Sequence, residues 1–238
     1  MTQRDHQQKK MQIRDGFIAG SPIVMGYLPI ALAYGVLAQQ SGMSLMELTG
    51  MSLLVFAGAA QFMGANMIAF SASAIEIIVA TFVLNFRHFV MSLSFVNQLK
   101  RIALPWKFSL TLGLTDETFS VSSIYRKQAN QAYGQYFYGT LILVAYLSWV
   151  FGSLLGGLLG DVIPPQLSQS MGVALYAMFI GLLIPSVKKQ HKIILISVTA
   201  MIVNYLLQPM IGEGWGIVAG TLVGGVAGIF VLDEEENT

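Results

Sequence analysis

The sequence predicts an all-α polytopic membrane protein with about six full transmembrane helices and two further re-entrant or broken helical segments. The 238-residue chain is 55% hydrophobic and only 11% charged, whereas a soluble domain carries about 25% charged residues. Its apolar runs are long and unbroken, as in bilayer-crossing helices, rather than short and alternating as in a transmembrane barrel. The formal net charge of +1 provides no broad basic surface for nucleic acid.

The chain begins polar and then becomes apolar. Residues 1–15 are expected to form a cytoplasmic N-terminal tail, and residues 16–38 the first transmembrane helix. Pro22 and Pro29 lie inside this span. Because proline removes a backbone donor and clashes with the preceding turn, we expect a kinked or interrupted helix here.

Two of the next three segments have unusual polarity. Residues 51–70 begin apolar and then contain glycine, glutamine and asparagine, whereas residues 76–96 form another long apolar run. Residues 109–125 are only weakly apolar and carry two adjacent acids near their centre. Non-helical backbone at membrane depth is tolerated where it lines a cavity or is buried in protein. We therefore expect the segments 51–70 and 109–125 to be the re-entrant or broken ones.

The second half of the chain is more regular and predicts the remaining spans. Short polar connections separate its apolar runs, and residues 233–238 are expected to form an acidic cytoplasmic tail. Residues 16–232 are thus expected to fold as a single transmembrane domain. The predicted spans cover residues 136–160, 167–187, 193–210 and 215–232.

The basic loops determine the expected topology, because short basic loops remain in the cytoplasm. Full crossing by every apolar segment would place at least one basic loop outside. All of the basic loops become cytoplasmic under one arrangement. Segment 51–70 enters the membrane from the outside and returns to the outside, and segment 109–125 enters from the cytoplasm and returns to the cytoplasm. Both termini are then cytoplasmic; the alternative is seven or eight full spans with one basic loop outside. The basic sites are residues 4–14, 100–107, 126–127 and 188–192.

Four ionisable side chains lie at membrane depth, where each costs roughly 2.5–3.5 kcal/mol on insertion scales. Arg87 and His88 lie near the middle of one apolar run, and Asp116 and Glu117 near the middle of the weakly apolar one. One interpretation is structural: Arg87 pairs with Asp116 and holds the bundle together. The other is functional: a carboxylate or His88 exchanges a proton during transport or contacts a charged group of the substrate.

The sequence FAGAAQF at residues 56–62 predicts a helix break. Small residues allow close backbone approach, and the ends of two half-helices can hold the charged ends of a zwitterion. The alternative is helix packing through small residues. Neutral amides nearby add hydrogen-bond partners. The candidate binding or coupling residues are Gly58, Gln61, Asn66, Asn85, Arg87, His88, Asp116 and Glu117.

Glycine recurs every four residues in two predicted spans, and such stripes let helices approach closely. We interpret them as packing surfaces, either within the subunit or against a partner. Trp106, Trp149 and Trp215 are interpreted mostly as interface or packing residues. The stripes are Gly152, Gly156 and Gly160 in one span, and Gly216, Gly220, Gly224 and Gly228 in the other.

Several classes of chemistry lack their sequence signatures. The chain has no cysteine, its three histidines show no metal-ligand spacing, and no Walker, Rossmann or GxSxG motif occurs. We therefore expect no metal, no cofactor and no enzymatic activity. An intramembrane enzyme would need a nucleophile beside a base, and only Ser92 or Ser94 near His88 could supply one, without any motif.

Taken together, these motifs resemble the AzlC-type large subunit of branched-chain amino acid exporters. The resemblance rests on residues 16–38, FAGAAQF at 56–62, NFRH at 85–88 and TDETF at 115–119, and it extends over about residues 15–232. It implies export of branched-chain or other neutral amino acids, methionine included, across the cytoplasmic membrane of a bacterium. It also implies a second, small membrane subunit of the AzlD type.

Composition and spacing alone indicate only a polytopic carrier with buried polar groups. Because carboxylate and histidine groups at mid-membrane are typical of proton-coupled carriers, we expect coupling to an ion or a proton. A small-solute channel is one alternative, and a carrier for a different small organic substrate is another. A channel would need polar faces along several spans, whereas the polar residues here concentrate in two segments. We therefore expect an occluded binding site in the lipid bilayer and no nucleic-acid partner.

Overall fold

The computed structural model describes residues 3–164 and 190–231, together with single helical residues between 173 and 188. The described residues form helices and connecting loops and contain no strand. A 3-10 turn at Arg126–Asn130 precedes α7. The helices are α1 (Gln3–Gln40), α2 (Leu45–Leu54), α3 (Gly58–Ala69), α4 (Ala74–Gln98), α5 (Leu104–Leu112), α6 (Asp116–Ile124), α7 (Gly134–Leu159), α8 (Ile193–Ile211) and α9 (Glu213–Val231).

The predicted class, an all-α polytopic membrane protein, is confirmed. Among the described residues, α1, α4, α7 and α8 are long and apolar enough to cross a membrane. The final predicted span coincides with α9, whose apolar part from Trp215 to Val231 is shorter. Most of the span predicted at 167–187 lies outside the described residues.

Helix α1 differs from its prediction at both its start and its middle. Residues 3–15 are helical and continuous with the first span, and Gln12 is only 1% exposed because its amide donates to Gln131 Oε1 at 2.7 Å. The expected interruption at the prolines does not occur. Pro22 cannot donate to the carbonyl of Ile18, and the Ser21 hydroxyl donates to that carbonyl instead at 2.9 Å.

Helices α1 and α7 pack side by side and run in the same direction. Gln12 meets Gln131 at one end of the pair, and Gln39 donates to Asp161 at the other. The contact is so close that a Cβ at Gly156 would overlap the carbonyl oxygen of Leu32. The first glycine stripe is therefore used for packing within the chain.

Helices α2 and α3 form a re-entrant hairpin, called hairpin 1 (residues 45–69). The Ser44 hydroxyl caps α2, and α2 then runs into the bundle and ends at Leu54. After residues 55–57, α3 returns, so that Gln61 Nε2 lies 3.4 Å from the Ser52 hydroxyl of the other arm. Hairpin 1 thus enters and leaves beside the end of α1, as expected for residues 51–70.

Helices α5 and α6 form a second re-entrant hairpin, called hairpin 2 (residues 104–124). Near the start of α5, Trp106 lies 5.4 Å from the Tyr136 ring, and just after α6 the carbonyl of Tyr125 accepts from the Tyr138 hydroxyl at 3.0 Å. Both arms therefore begin and end beside the start of α7. Residues 113–115 form the tip, and hairpin 2 enters from the end opposite to hairpin 1.

The predicted basic loops gather at one end of the bundle, called the basic end. Arg101 between α4 and α5 reaches the carbonyl of Asn130 at 3.4 Å, and Lys9 lies 5.0 Å from the ring centre of Tyr133. At the opposite end, called the acidic end, Glu47 and Glu76 lie in the first turns of α2 and α4. The basic loops and these two acids are thus at opposite ends of the described bundle.

Helices α8 and α9 form an antiparallel pair beside α4. A Cβ at Gly212, in the turn between them, would lie 3.1 Å from Glu76, so this turn is at the acidic end and residue 193 is at the basic end. A Cβ at Gly220 would lie 2.7 Å from the carbonyl oxygen of Ala200. The second glycine stripe therefore also packs within the chain, over Gly216, Gly220 and Gly224.

Candidate functional site

The tips of the two hairpins meet in the middle of the bundle and enclose a small cavity. Its interior volume is about 20 Å³, which is space for a single water molecule. Charged side chains form one wall of this cavity and aromatic rings form the other. The lining residues are Tyr27, Phe56, Ala57, Gly58, Ala59, Arg87, His88, Thr115, Asp116, Glu117 and Trp149.

Arg87 was expected to pair with Asp116 or with Glu117, and in the structure its partner is Asp116. Arg87 Nη1 lies 2.9 Å from Asp116 Oδ2, and the two side chains are 29% and 25% exposed. Arg87 Nε is buried and has no hydrogen-bond partner among the described residues. The guanidinium group thus neutralises one of the two acids and keeps an unused donor close to the cavity.

The second acid, Glu117, is held by the first helix. The Tyr27 hydroxyl donates to Glu117 Oε2 at 2.5 Å and lies 2.7 Å from the Thr115 hydroxyl. Tyr27 is 5% exposed. Hydrogen bonds to a charged group are stronger than those between neutral groups. These bonds therefore hold α1 to the tip of hairpin 2 at residues that line the cavity.

His88 follows Arg87 on α4, lines the cavity and is half-buried. No hydrogen-bond partner of its ring is found among the described residues. Among these residues there is also no cluster of three or more His, Asp or Glu side chains that could hold a metal ion.

The first turns of α3 and α6 have contrasting electrostatics. In α6, Thr115 and Thr118 form a reciprocal capping box, and Asp116 and Glu117 occupy the first turn, where the helix dipole favours anions. In α3, the described chain provides no side-chain cap at Ala57. The described residues provide no acceptor for the first amide groups of α3, and Ala57, Gly58 and Ala59 line the cavity.

Some of the predicted site residues lie outside the cavity. Gln61 is fully buried: its carbonyl oxygen accepts from Trp149 Nε1 at 2.6 Å, and its amide nitrogen lies near Ser52. Asn66 lies farther along α3. Asn85 lies on α4 beside a patch of phenylalanines, and its buried Oδ1 lacks a partner in the described chain.

The helix break expected in FAGAAQF at residues 56–62 is found at residues 55–57, at the start of this motif. Gln61 and Asn66 follow it and lie inside the continuous helix α3. Gly58, Arg87, His88, Asp116 and Glu117 are the predicted residues that do line the cavity.

Six cavity residues were not predicted as site residues. Phe56, Ala57, Ala59 and Thr115 belong to the motifs FAGAAQF and TDETF, so the sequence pointed to their segments but not to these residues. Tyr27 lies between the two prolines of α1, which is a weak signal. Trp149 was interpreted as an interface or packing residue, yet it is 2% exposed at the centre of the bundle.

A scan of family models adds an independent observation to this geometry. The model described as AzlC protein matches residues 22–163, which contain both hairpins and every residue that lines the cavity. The chain belongs to the AzlC family. Membership in this family points to a membrane transporter rather than an enzyme.

Individual AzlC-family relatives cover most of the chain. A membrane protein of Archaeoglobus fulgidus, described as uncharacterized, is 34% identical over 91% of this chain and 94% of its own length. The Bacillus subtilis branched-chain amino acid transport protein AzlC is 27% identical over 79% of this chain and 74% of its own. The Escherichia coli inner membrane protein YgaZ is 28% identical over 78% and 76%. No solved structure gives a significant match.

Proposed function

We propose that this chain is the large subunit of a secondary transporter that exports branched-chain or other neutral amino acids across the bacterial cytoplasmic membrane. The observation that carries the proposal is the central cavity, where an uncapped helix N-terminus faces a pair of acids held by the opposite hairpin. A neutral amino acid is a zwitterion, and this arrangement matches its two charges. The name of the Bacillus subtilis relative supports the same substrate class.

The charged ends of the substrate have separate partners in this proposal. Its carboxylate accepts hydrogen bonds from the free amides at the start of α3, around Gly58 and Ala59. Its ammonium group lies against Glu117, because Arg87 already neutralises Asp116. Gly58, Arg87, His88, Asp116 and Glu117 are thus the proposed binding and coupling residues.

The charge balance of the cavity supports coupling to a proton or another cation. One guanidinium group and two carboxylates leave one net negative charge, which a zwitterion does not change. An uncompensated charge at membrane depth is costly. Glu117 is the carboxylate outside the ion pair and beside His88, so it is the proposed site of proton exchange.

A carrier fits the cavity better than an open channel does. The volume of about 20 Å³ holds one water molecule, so a leucine enters only after a hairpin moves. Two hairpins that enter from opposite ends and meet at one site suit alternating access. The intramembrane enzyme is not favoured, because Ser92 and Ser94 do not line the cavity.

The proposed orientation places the basic end, and with it both termini, in the cytoplasm. The separation of basic loops from Glu47 and Glu76 matches the preference of short basic loops for the cytoplasmic side. Hairpin 2, which carries Asp116 and Glu117, is then the cytoplasmic hairpin. Hairpin 1 is the external one.

A small membrane subunit of the AzlD type is the proposed partner. Its support is the family resemblance, because the glycine stripes, interpreted as packing either within the subunit or against a partner, are seen to pack within the chain at Gly152, Gly156, Gly160, Gly216, Gly220 and Gly224. An apolar groove of about 390 Å³ between α5 and α7 remains unfilled by the described residues. It contains the small residues Ser109, Gly113 and Gly139, which permit close approach of another helix.

Counterflow in proteoliposomes tests the function. Vesicles with the purified chain, alone or with the small subunit, are loaded with unlabelled leucine and then diluted into labelled leucine. A carrier concentrates the label transiently, a channel only equilibrates it, and an enzyme changes its chemical identity. We expect transient accumulation for leucine, isoleucine, valine and methionine, and none for lysine or glutamate. No accumulation of any neutral amino acid in either preparation contradicts the proposal.

A further inference from the structure

We infer that the indole ring of Trp149 is the surface against which the substrate's apolar side chain packs, and that this ring sets which side-chain sizes are carried. Gln61 and Gly58 are then positioning residues that hold the ring in place. This inference rests on the proposed function, since it assigns the part of the same cavity that reads the substrate side chain.

The cavity has two unlike sides. Arg87, Asp116 and Glu117 lie on α4 and hairpin 2, whereas Phe56 and Trp149 lie on hairpin 1 and α7. An apolar side chain placed against the charged wall would strip water from those groups without replacing their hydrogen bonds. A substrate whose charged ends bind the polar wall therefore directs its apolar side chain toward the aromatic wall.

The Trp149 ring is held on several sides. Its Nε1–H donates to Gln61 Oε1 at 2.6 Å, and its face stacks on Tyr34 with ring centres 6.3 Å apart. Tyr27 packs edge-on against it, with ring centres 5.3 Å apart. A Cβ at Gly58 would lie only 2.5 Å from Trp149 Cη2. These contacts restrict the ring to one position, so it forms a firm wall.

Gln61 contacts the lining of the cavity through this ring. Its side chain is fully buried and does not line the cavity, yet its amide is committed to Trp149 and Ser52. A buried amide requires partners, and here the main partner is the indole nitrogen. Gly58 complements it, because the absence of a side chain at the first position of α3 leaves room for the ring edge.

A selectivity series measures the role of Trp149. The full chain, reconstituted with whatever subunit wild-type transport requires, is tested with alanine, valine, leucine, methionine and phenylalanine. In Trp149→Phe the wall recedes, so we expect KM for leucine to rise about 10-fold and the preference for leucine over phenylalanine to fall by a similar factor. Trp215→Phe is the matched control, since Trp215 lies on α9, is 40% exposed and does not line the cavity, and its selectivity should equal that of the wild type.

Two variants of Gln61 test positioning. Gln61→Leu removes the acceptor for the indole N–H, and we expect a selectivity shift in the same direction as for Trp149→Phe. Gln61→Glu keeps an oxygen acceptor and should restore the wild-type order of substrates. A Gln61→Leu protein that loses abundance but keeps its substrate order contradicts the positioning role.

Fluorescence provides a measurement that leaves Trp149 intact. Replacing Trp106 and Trp215 by Phe leaves Trp149 as the only tryptophan of the chain. Leucine should change the emission of this variant saturably, with a midpoint close to KM, whereas lysine should not. Unchanged emission in a variant that transports leucine overturns the inference, even if Trp149→Phe fails to fold.

The outcomes separate this inference from the proposed function. The inference alone is overturned if the wild-type protein carries leucine and the Trp149→Phe variant keeps the same order of substrates. A wild-type protein that carries no neutral amino acid overturns the proposed function, and the inference falls with it.

Discussion

Arg87 in the middle of α4 and Asp116 at the first position of α6 form an ion pair with an N–O distance of 2.9 Å. The pair joins a full-length helix to the tip of hairpin 2, close to where hairpin 1 also ends. Both side chains remain about a quarter exposed. The pair can therefore hold the hairpin in place and still respond to a ligand.

Removing one partner of this pair should be more harmful to folding than removing both. Arg87→Gln leaves Asp116 without its ion-pair partner. An unpaired charge lowers the free energy of unfolding by about 3–5 kcal/mol in a fully buried site, and by less here because both side chains are partly exposed. We expect Arg87→Gln to lower abundance and abolish leucine efflux. Adding Asp116→Asn should recover abundance but not efflux. Immunoblots and efflux assays on the same cells measure both; normal export by Arg87→Gln would place the site elsewhere.

Tyr27→Phe should impair transport without unfolding the protein. It removes the hydroxyl that donates to Glu117, a bond to a charged group worth about 1.5–3 kcal/mol. We expect kcat/KM for leucine to fall about 10- to 100-fold at normal abundance. Tyr138→Phe is the matched control, because this buried hydroxyl donates to the carbonyl of Tyr125 away from the cavity. Equal transport by the two variants would show that the bond to Glu117 has no functional role.

The two ends of the bundle should be accessible from opposite sides of the membrane. The chain has no cysteine, so single cysteines at Ala103, Gln190 or Ser71 report cleanly. An impermeant thiol reagent added to intact cells should label Ser71→Cys, in the exposed loop between α3 and α4, and neither of the others until the cells are lysed. Labelling at 103 or 190 from outside would rule out the proposed orientation.

The close contact of α1 with α7 should depend on individual glycines. A Cβ at Gly35 would overlap the carbonyl oxygen of Ser153, whereas a Cβ at Gly26 on the same helix meets nothing within 4 Å. Gly35→Ala should therefore destabilise the protein by about 1–3 kcal/mol or more, while Gly26→Ala should be close to neutral. Melting temperatures in detergent compare the two, and identical values would contradict the packing described here.

The fold class, the segments in which the helix breaks and the presence of an ion pair could be predicted from the sequence. Each depends on polar or charged residues at membrane depth, where such groups are costly. Arg87 is too costly to leave unpaired in hydrocarbon, so its pairing with Asp116 or Glu117 follows from position, whereas the choice of Asp116 comes from the structure. Short basic loops stay in the cytoplasm, and the loops around 100–107 and 188–192 could both do so only if two segments were re-entrant. The described residues of both loops lie at the basic end.

The detail of the cavity could not be predicted, because it depends on how separate helices meet. Trp149 lies in an unbroken apolar run, and this pattern predicts a packing residue. Only the structure shows that Gln61 and Gly58 lie beside its ring. The same applies to Gln61, whose amide was expected to face the substrate. It is instead buried against α7, and the proposed function assigns the binding role to the backbone at the start of α3.

The sequence by itself determined that the chain is helical, that it lies in the membrane and that its polar residues cluster in two segments, since composition and charge placement are properties of a linear chain. Only the tertiary structure decided that the tips of these segments meet, that Tyr27 binds Glu117 and that the glycine stripes pack within the chain. The physical reason is that cavities and close helix contacts arise between residues far apart in sequence. Their geometry follows from side-chain packing, which hydropathy and periodicity do not encode.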